Sequence, residues 1–529
     1  MKKWICSLSL YFIFLPSICL AATDCSDILD TSNAQSTWVS VNDQGNLVYR
    51  LTDRGDRIMD FSYAGYGGGG VALPNVPTVV TVEATGQDDT AAIQTAIDRV
   101  SSLPLQNGFR GAVLLAPGIY STNQALRIKT SGVVLRGSGS KAKGSLVNLV
   151  GSPHAFLKLG NAVKPEIVGT AVKVSDSYVP SGAMQVHVEN TNGFNVGDTV
   201  MLRRPVTEAW VEFMGMANLC SDCDWLSPQK FSEYDRVITA IDPNQKLIRL
   251  DAPIPDSLDS QYTHAELLRY RMPDRIENVG LENLQVRAPK TAFTEFSTGP
   301  TFELLKIFGA QNAWVRNILA ENFVTGVAVM DFSKLITLQD IAFIHNPPAS
   351  PHGAKQFQYS FDNSQLLLCN RCSAGGDNTF SFVTGSLTQG PNVILNSTGT
   401  GLSRLEPHMR WATGLLVDNF TTTQGGVDIM SRGTYGSGHG WTMGWAVIWN
   451  SRANSFKLQQ APGTLTWAIG LMGELTDPIF PNAVLETRDI PNQYPATIES
   501  LGSPVSPKSL YLAQLCVRKG RAAVSNLGY

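Results

Sequence analysis

The chain has 529 residues, 43% of them hydrophobic, and a formal net charge of −3. That is ample material for a large core and more than one small domain holds. The near-even charge, with no run of lysine or arginine, excludes the basic face that nucleic-acid binding needs.

Residues 1–22 read as a secretory signal, with Lys2 and Lys3 as the charged start, an apolar stretch from Trp4 to Leu20, and Ala21-Ala22 as a small-residue cleavage site. No later window offers the ~20 apolar residues of a spanning helix. The expectation is an exported protein, secreted or periplasmic, without a membrane span. Beyond the signal six cysteines remain: Cys25, Cys220, Cys223, Cys369, Cys372 and Cys516. The two C-x-x-C pairs lie much further apart than the ~15–20 residues usual for a shared zinc site. A disulfide is expected for Cys220 and Cys223, which sit in a polar loop. Cys369 and Cys372 fall in a strand-like run whose alternation points them to opposite faces, as buried thiols.

Residues 23–164 are read as an N-terminal extension, a cap helix and the first coils of a stack. "GQDDTAAIQTAIDRV" begins with the helix starters Asp88, Asp89 and Thr90 and continues with Ile93, Ile97 and Val100 at helical spacing. Short β-rich runs follow in "GAVLLAPGIYSTNQALRIKTSGVVLRGSGS", punctuated by Pro-Gly and Ser-Gly turns. Together these residues resemble the N-terminal part of the pectate-lyase-like superfamily. The resemblance covers about 50 residues and implies a right-handed parallel β-helix with a broad carbohydrate association; it transfers no activity. Upstream, "AGYGGGGVALP" lacks the lysine and strand-to-helix context of a phosphate loop and is read as extended backbone.

Residues 165–265 change texture and are read as a small β-rich insertion. Residues 266–480 carry the main coils, marked by an apolar run ending in Asn or Asp at Asn283, Asn317, Asp340, Asn370, Asn396, Asn419 and Asn450. The gaps of 34, 23, 30, 26, 23 and 31 residues suit stacked coils with loops of varying length. Residues 481–529 form a proline-marked tail and a cap helix over the last coil. Cys25 and Cys516 are placed to tie the two terminal extensions, a pairing that sequence leaves open. The fold class is therefore all-β, a parallel β-helix solenoid with a capping helix and one insertion.

Candidate chemistry concentrates in "RLEPHMRWATG" and "DIMSRGTYGSGHGW", which hold Arg404, Glu406, His408, Arg410, Arg432 and His439. Coils about 4.8 Å apart would bring 408–410 and 432–439 together. Arginines suit the carboxylates of an acidic polysaccharide, and indoles such as Trp411 and Trp441 suit its sugar faces. A lyase needs one base beside a uronate carboxylate and positive charge for the developing anion. His439 is assigned the base, Arg410 and Arg432 the carboxylate clamps, His408 an acid or orienting group, and Trp411, Trp441 and Arg404 substrate contacts. Pectate lyases use arginine as base with calcium on the substrate, so the resemblance keeps both arginines eligible as bases and leaves calcium open. No dense Asp cluster makes calcium a firm expectation, and no metal ligands are assigned.

Two other readings stand beside the lyase. A hydrolase needs two carboxyl groups, about 6.5–9.5 Å apart for inversion. "GHG" resembles a polygalacturonase motif, but the companion motifs are missing or out of order. Asp428, Asp418, Glu406 and Asp377 remain as carboxylates for that role, with Asp428 and Asp377 as the assigned candidates. The third reading is a surface or adhesion protein that binds glycans without cutting them. Gly438-His439-Gly440 is also readable as a plain turn. The oligomeric state is not legible in the sequence.

Overall fold

The structure, a computed structural model, describes residues 25–141, 143–219, 223–290, 300–344, 356–376, 379–476 and 494–529. Most of them wind into a right-handed parallel β-helix whose strands form one continuous parallel network. Each coil has three sides. The first sheet runs from Gly111–Leu115 through Ala310–Glu321 and Gln365–Asn370 to Ala412–Asp418 and Trp467–Ile469. The third holds Ala155–Gly160, Glu303–Phe308, Gln356–Phe361, Thr379–Thr384, Arg404–Leu405 and Gly426–Ile429. A narrower second sheet lies between them, and Ser373–Gly375 pairs there with Thr398–Thr400.

Register explains why the runs must be apolar on one parity. Ala313, Ile336 and Leu367 are partners in successive coils, and all three point into the interior. Burying each such aliphatic side chain contributes about 1.5–3 kcal/mol, repeated coil after coil. The Asn and Asp positions are the corners between the first and second sheets. Asn283, Asn317, Asp340, Asn396, Asn419 and Asn450 all have φ between 45° and 61°, a left-handed conformation their short polar side chains tolerate. Asn317 Nδ2 donates to Asn283 Oδ1 at 2.9 Å, one coil to the next. At Asn370 the left-handed residue is its neighbour Arg371, φ 52°.

The helix Thr90–Ser101 buries Ile93, Ala96, Ile97 and Val100 against the first coils. Its entry is fixed by Asp88 Oδ1, which accepts from the Thr90 hydroxyl at 2.6 Å, and by Asp89, which accepts from Thr85 and Ser121. Between Ala155–Gly160 and Ile276–Arg287 the chain leaves the stack to build an antiparallel β-unit, whose paired strands run from Glu166–Lys173 to Glu266–Arg271. It has its own core, including Val200, Leu202, Ile238 and Leu267. The unit docks on the coils through buried polar contacts. Arg236 donates to Gln365 Oε1 at 2.6 Å and to Gly390 O at 3.1 Å, and Asp235 pairs with Arg275 and Lys334.

The tail differs from expectation. Helix Leu510–Lys519 lies along the outer face of the first sheet, not over the last coil. Leu415 and Val417 point into the coil while Leu416 points out, and Leu416, Val447 and Trp449 pack with Leu512 and Leu515. This flank needed cover because both faces of the first sheet are apolar. Cys25 and Cys516 are disulfide-bonded, joining the two terminal extensions across 491 residues of sequence. Cys369 and Cys372 are bonded to each other, contrary to the opposite-face reading, because the corner at Arg371 turns the chain between them. Cys223 is disulfide-bonded, while Cys220 and the signal-like residues 1–22 lie outside the described residues. No helix among the described residues is long and apolar enough to cross a membrane.

Candidate active site

The glycines around His439 each have a steric reason. Gly436 (φ 62°) lies under the His439 imidazole, where a Cβ would overlap the ring. At Gly438 (φ 80°) a Cβ would sit 2.6 Å from Cys223 Sγ, and at Gly440 (φ 54°) it would strike the Trp225 ring. The loop is thus a left-handed seat on which the inserted unit rests, with the histidine folded back over its own chain. Arg410 pins it from the preceding coil. Its backbone N–H donates to His439 O at 3.1 Å, and its guanidinium donates to Ser437 Oγ at 2.7 Å and Gly438 O at 3.4 Å.

Around this loop the coils bring together His408, Arg432 and His439, with Glu406 and Tyr435. Glu406 and His408 extend the third sheet, their N–H groups bonded to Phe382 O and Thr384 O. Arg432, from the next coil, is buried and joins three groups. It meets Glu406 Oε1 at 3.1 Å, donates to His408 O at 2.8 Å and contacts His408 Nδ1 at 2.9 Å. Its guanidinium lies 4.8 Å from the centre of the Tyr435 ring. The imidazoles of His408 and His439 are 4.9 Å apart, and Tyr435 meets His439 edge-on at 6.0 Å. Phe357 and Phe380 hold the other side of His408.

The electrostatics are consistent with this arrangement. His439 is 6% exposed, and its Nδ1 is buried without a hydrogen-bond partner among the described residues. Burial, then the positive charges of Arg432 and Arg410, push its pKa down to about 4. The ring is therefore neutral at neutral pH and able to accept a proton. Since a guanidinium can only donate, the Arg432 contact makes His408 Nδ1 an acceptor and leaves the hydrogen of a neutral ring on Nε2.

Several assigned residues are placed elsewhere. Arg404 forms a bidentate ion pair with Asp428, whose side chain is 1% exposed. Each satisfies the other, so the hydrolytic carboxylate and the free substrate arginine are both spent on one bridge. Trp411 and Trp441 are each 1% exposed and present no ring to solvent. Trp411 Nε1 donates to Asp256, which also accepts from Trp445, and Trp441 Nε1 donates to Met214 O. These indoles cement the inserted unit to the coils and offer no sugar platform. Asp377 lies outside the described residues. Among the described residues no group of three or more His, Cys, Asp or Glu side chains is arranged to hold a metal, and Glu406 and Asp428 are held by arginines.

Tyr435 was missed by sequence reasoning. Its position four residues before His439 in "TYGSGHG" carried no clear signal, because the turn that joins them, closed by His439 N–H to Tyr435 O at 3.1 Å, runs through non-helical Gly436 and Ser437. Phe357 and Phe380 carried none, since only the coil register places them beside His408.

No family model and no curated protein matches the chain. Among solved structures it is similar to the tailspike protein of Pseudomonas phage LKA1, over 74% of this chain and 70% of that one, at 10% identity and a TM-score of 0.37. It is also similar to a polygalacturonase from Erwinia carotovora, over 79% and 99%, at 11% identity and 0.36. A third is the A-module of a mannuronan C-5 epimerase from Azotobacter vinelandii, over 82% and 95%, at 11% identity and 0.34. These likenesses assign no role to any residue here. Fold and site define a right-handed parallel β-helix protein with a histidine–arginine cluster at one line of coil corners.

Proposed function

We propose that this chain is an exported enzyme that cleaves an acidic, uronic-acid-containing polysaccharide by β-elimination. The observation that carries the reading is the geometry at His439, a nearly buried imidazole 4.9 Å from that of His408, on a loop held by the Arg410 guanidinium and beside Arg432. A base with two guanidinium groups beside it suits proton removal next to a carboxylate, because the same cations stabilise the anion that forms. In this reading Arg410 faces the uronate carboxylate, buried Arg432 adds its positive charge from behind the site, and His439 takes the proton from the adjacent carbon. The released electron pair forms the carbon–carbon double bond as the bond to the glycosidic oxygen breaks. That oxygen takes the proton back from the His439 imidazolium, which returns to its neutral form, while His408 beside it is the orienting group. Glu406 holds Arg432, and Arg432 holds the His408 tautomer.

Export is supported by the Cys25–Cys516 disulfide, a bond favoured in oxidising compartments. The test is product chemistry on a panel of uronate polysaccharides. Elimination leaves an unsaturated sugar that absorbs ultraviolet light, whereas hydrolysis gives reducing ends without that absorbance. Binding without either product would assign the chain to the non-catalytic class.

A further inference from the structure

A cleft of about 520 Å³ opens between the inserted unit and the β-helix, within the ~300–1,000 Å³ range of ligand sites. Its helix wall is a ladder of three successive coil corners, at Asn363, Leu387 and Arg410, with φ of 42°, 57° and 54°. Leu387 N–H donates to Arg410 O at 3.1 Å, and Gly385 N–H to Phe361 O at 2.6 Å, so the corners sit directly over one another. At one coil spacing per step the ladder spans roughly 10 Å along the helix axis. Its last rung is Arg410, whose guanidinium also holds the His439 loop at Ser437 and Gly438.

The opposite wall, from the insertion, carries Asp224, Lys230 and Glu233. Lys230 is exposed, with no ion-pair partner among the described residues. Ser386 and Asn363 add hydroxyl and amide groups on the helix side. The lining therefore combines two cations, Lys230 and Arg410, with two carboxylates, Asp224 and Glu233, and with the hydroxyl and amide of Ser386 and Asn363. Cations for carboxylates beside acceptors and donors for hydroxyls suit a chain that carries both groups.

We infer that this cleft is a binding site for an acidic oligosaccharide, which it feeds past Arg410 to His439. The inference rests on the uronate reading above and adds to it the insertion as the second wall of the substrate path. Lys230 and Arg410 take carboxylates, while Asp224, Glu233, Asn363 and Ser386 take hydroxyls.

The test is titration calorimetry on the His439→Ala protein, so that binding is read without turnover. The probes are oligogalacturonates and oligomannuronates of stepped length, with neutral maltooligosaccharides as control. The cleft predicts affinity that rises with length, falls with salt, and drops at least tenfold when Lys230→Ala or Ser386→Trp is added. Ser386→Trp fills the cleft, and Lys230→Ala changes an exposed side chain, so a folding failure of the first leaves the second decisive. Absence of binding by either uronate series, equal binding of the neutral series, or indifference to both variants overturns the inference. Uronate binding through the cleft without elimination by the unaltered protein would support the cleft and defeat the reaction proposed above.

Discussion

Arg432 and Glu406, from adjacent coils of the β-helix, form a buried ion pair at 3.1 Å, and the same guanidinium holds His408 through both its backbone O and its Nδ1. One cation thus fixes one imidazole and lowers the proton affinity of a second. Removing one partner of a buried pair leaves the other charge stranded, at a cost of about 3–5 kcal/mol. Arg432→Met is therefore expected to lower the melting temperature sharply. The double variant Glu406→Gln with Arg432→Met should recover part of the loss, which thermal unfolding of the unaltered protein and the two variants measures.

The pH profile of activity should have a low acid limb. His439 acts as a base only when neutral, and its pKa is lowered to about 4. Activity should persist as the medium is acidified and fall near pH ~4, well below the ~6.5 of an ordinary histidine. Arg410→Met removes one of the cations responsible and should move the limb upward. The linked stability has a definite sign. With the folded value depressed, stability is complete above ~6.5 and is lost as pH falls toward the folded value.

Asp418 acts in the opposite sense. Fully buried, it accepts from Ser509 Oγ at 2.7 Å and from Tyr511 N–H at 2.8 Å, anchoring the start of the C-terminal helix, and burial raises its carboxyl to about 7. Its contribution to stability is present below the ordinary carboxylate range and lost as pH rises from there to about 7. Asp418→Asn keeps an acceptor without the titration. The variant should be the more stable protein at about pH 8 and lose that advantage at about pH 5, by melting temperature.

The glycines of the histidine loop should separate function from folding. Gly436→Ala puts a methyl group against the His439 ring at a left-handed φ of 62°, so it should lower turnover in addition to a backbone cost in stability. Gly440→Ala puts one against Trp225, and overpacking there should cost about 1–3 kcal/mol through the seat of the insertion. Parallel assays of turnover and melting distinguish the two.

Trp411→Ala tests the placement of the tryptophans. The ring is buried and bonded to Asp256, so truncation should cost about 3–5 kcal/mol of stability. The affinity of the protein that remains folded should not change.

The solenoid was legible because its repeat has a chemical mark: an apolar run closed by Asn or Asp, the residues that tolerate the left-handed corner. The cap helix was legible from Ile93, Ile97 and Val100, and the convergence of His408, Arg432 and His439 followed from coil spacing alone. What failed depended on neighbours distant in sequence. Trp411 and Trp441 looked like sugar platforms because nothing in their local sequence shows that Asp256 and Met214 of the insertion cover them. Arg404 and Asp428 looked like separate functional groups because their pairing arises only when one coil is laid on the next. The terminal helix was expected over the last coil, but Leu416, Val447 and Trp449 form an outward apolar flank that it covers.

The most direct test of the central claim is the rate at which ultraviolet-absorbing unsaturated ends appear from uronate polysaccharides, with the unaltered protein and with His439→Ala. The account predicts steady absorbance growth that the substitution reduces at least a hundredfold, the span general-base catalysis typically supplies (about 10²–10⁴-fold). Reducing ends without absorbance, or elimination that survives His439→Ala, would contradict it.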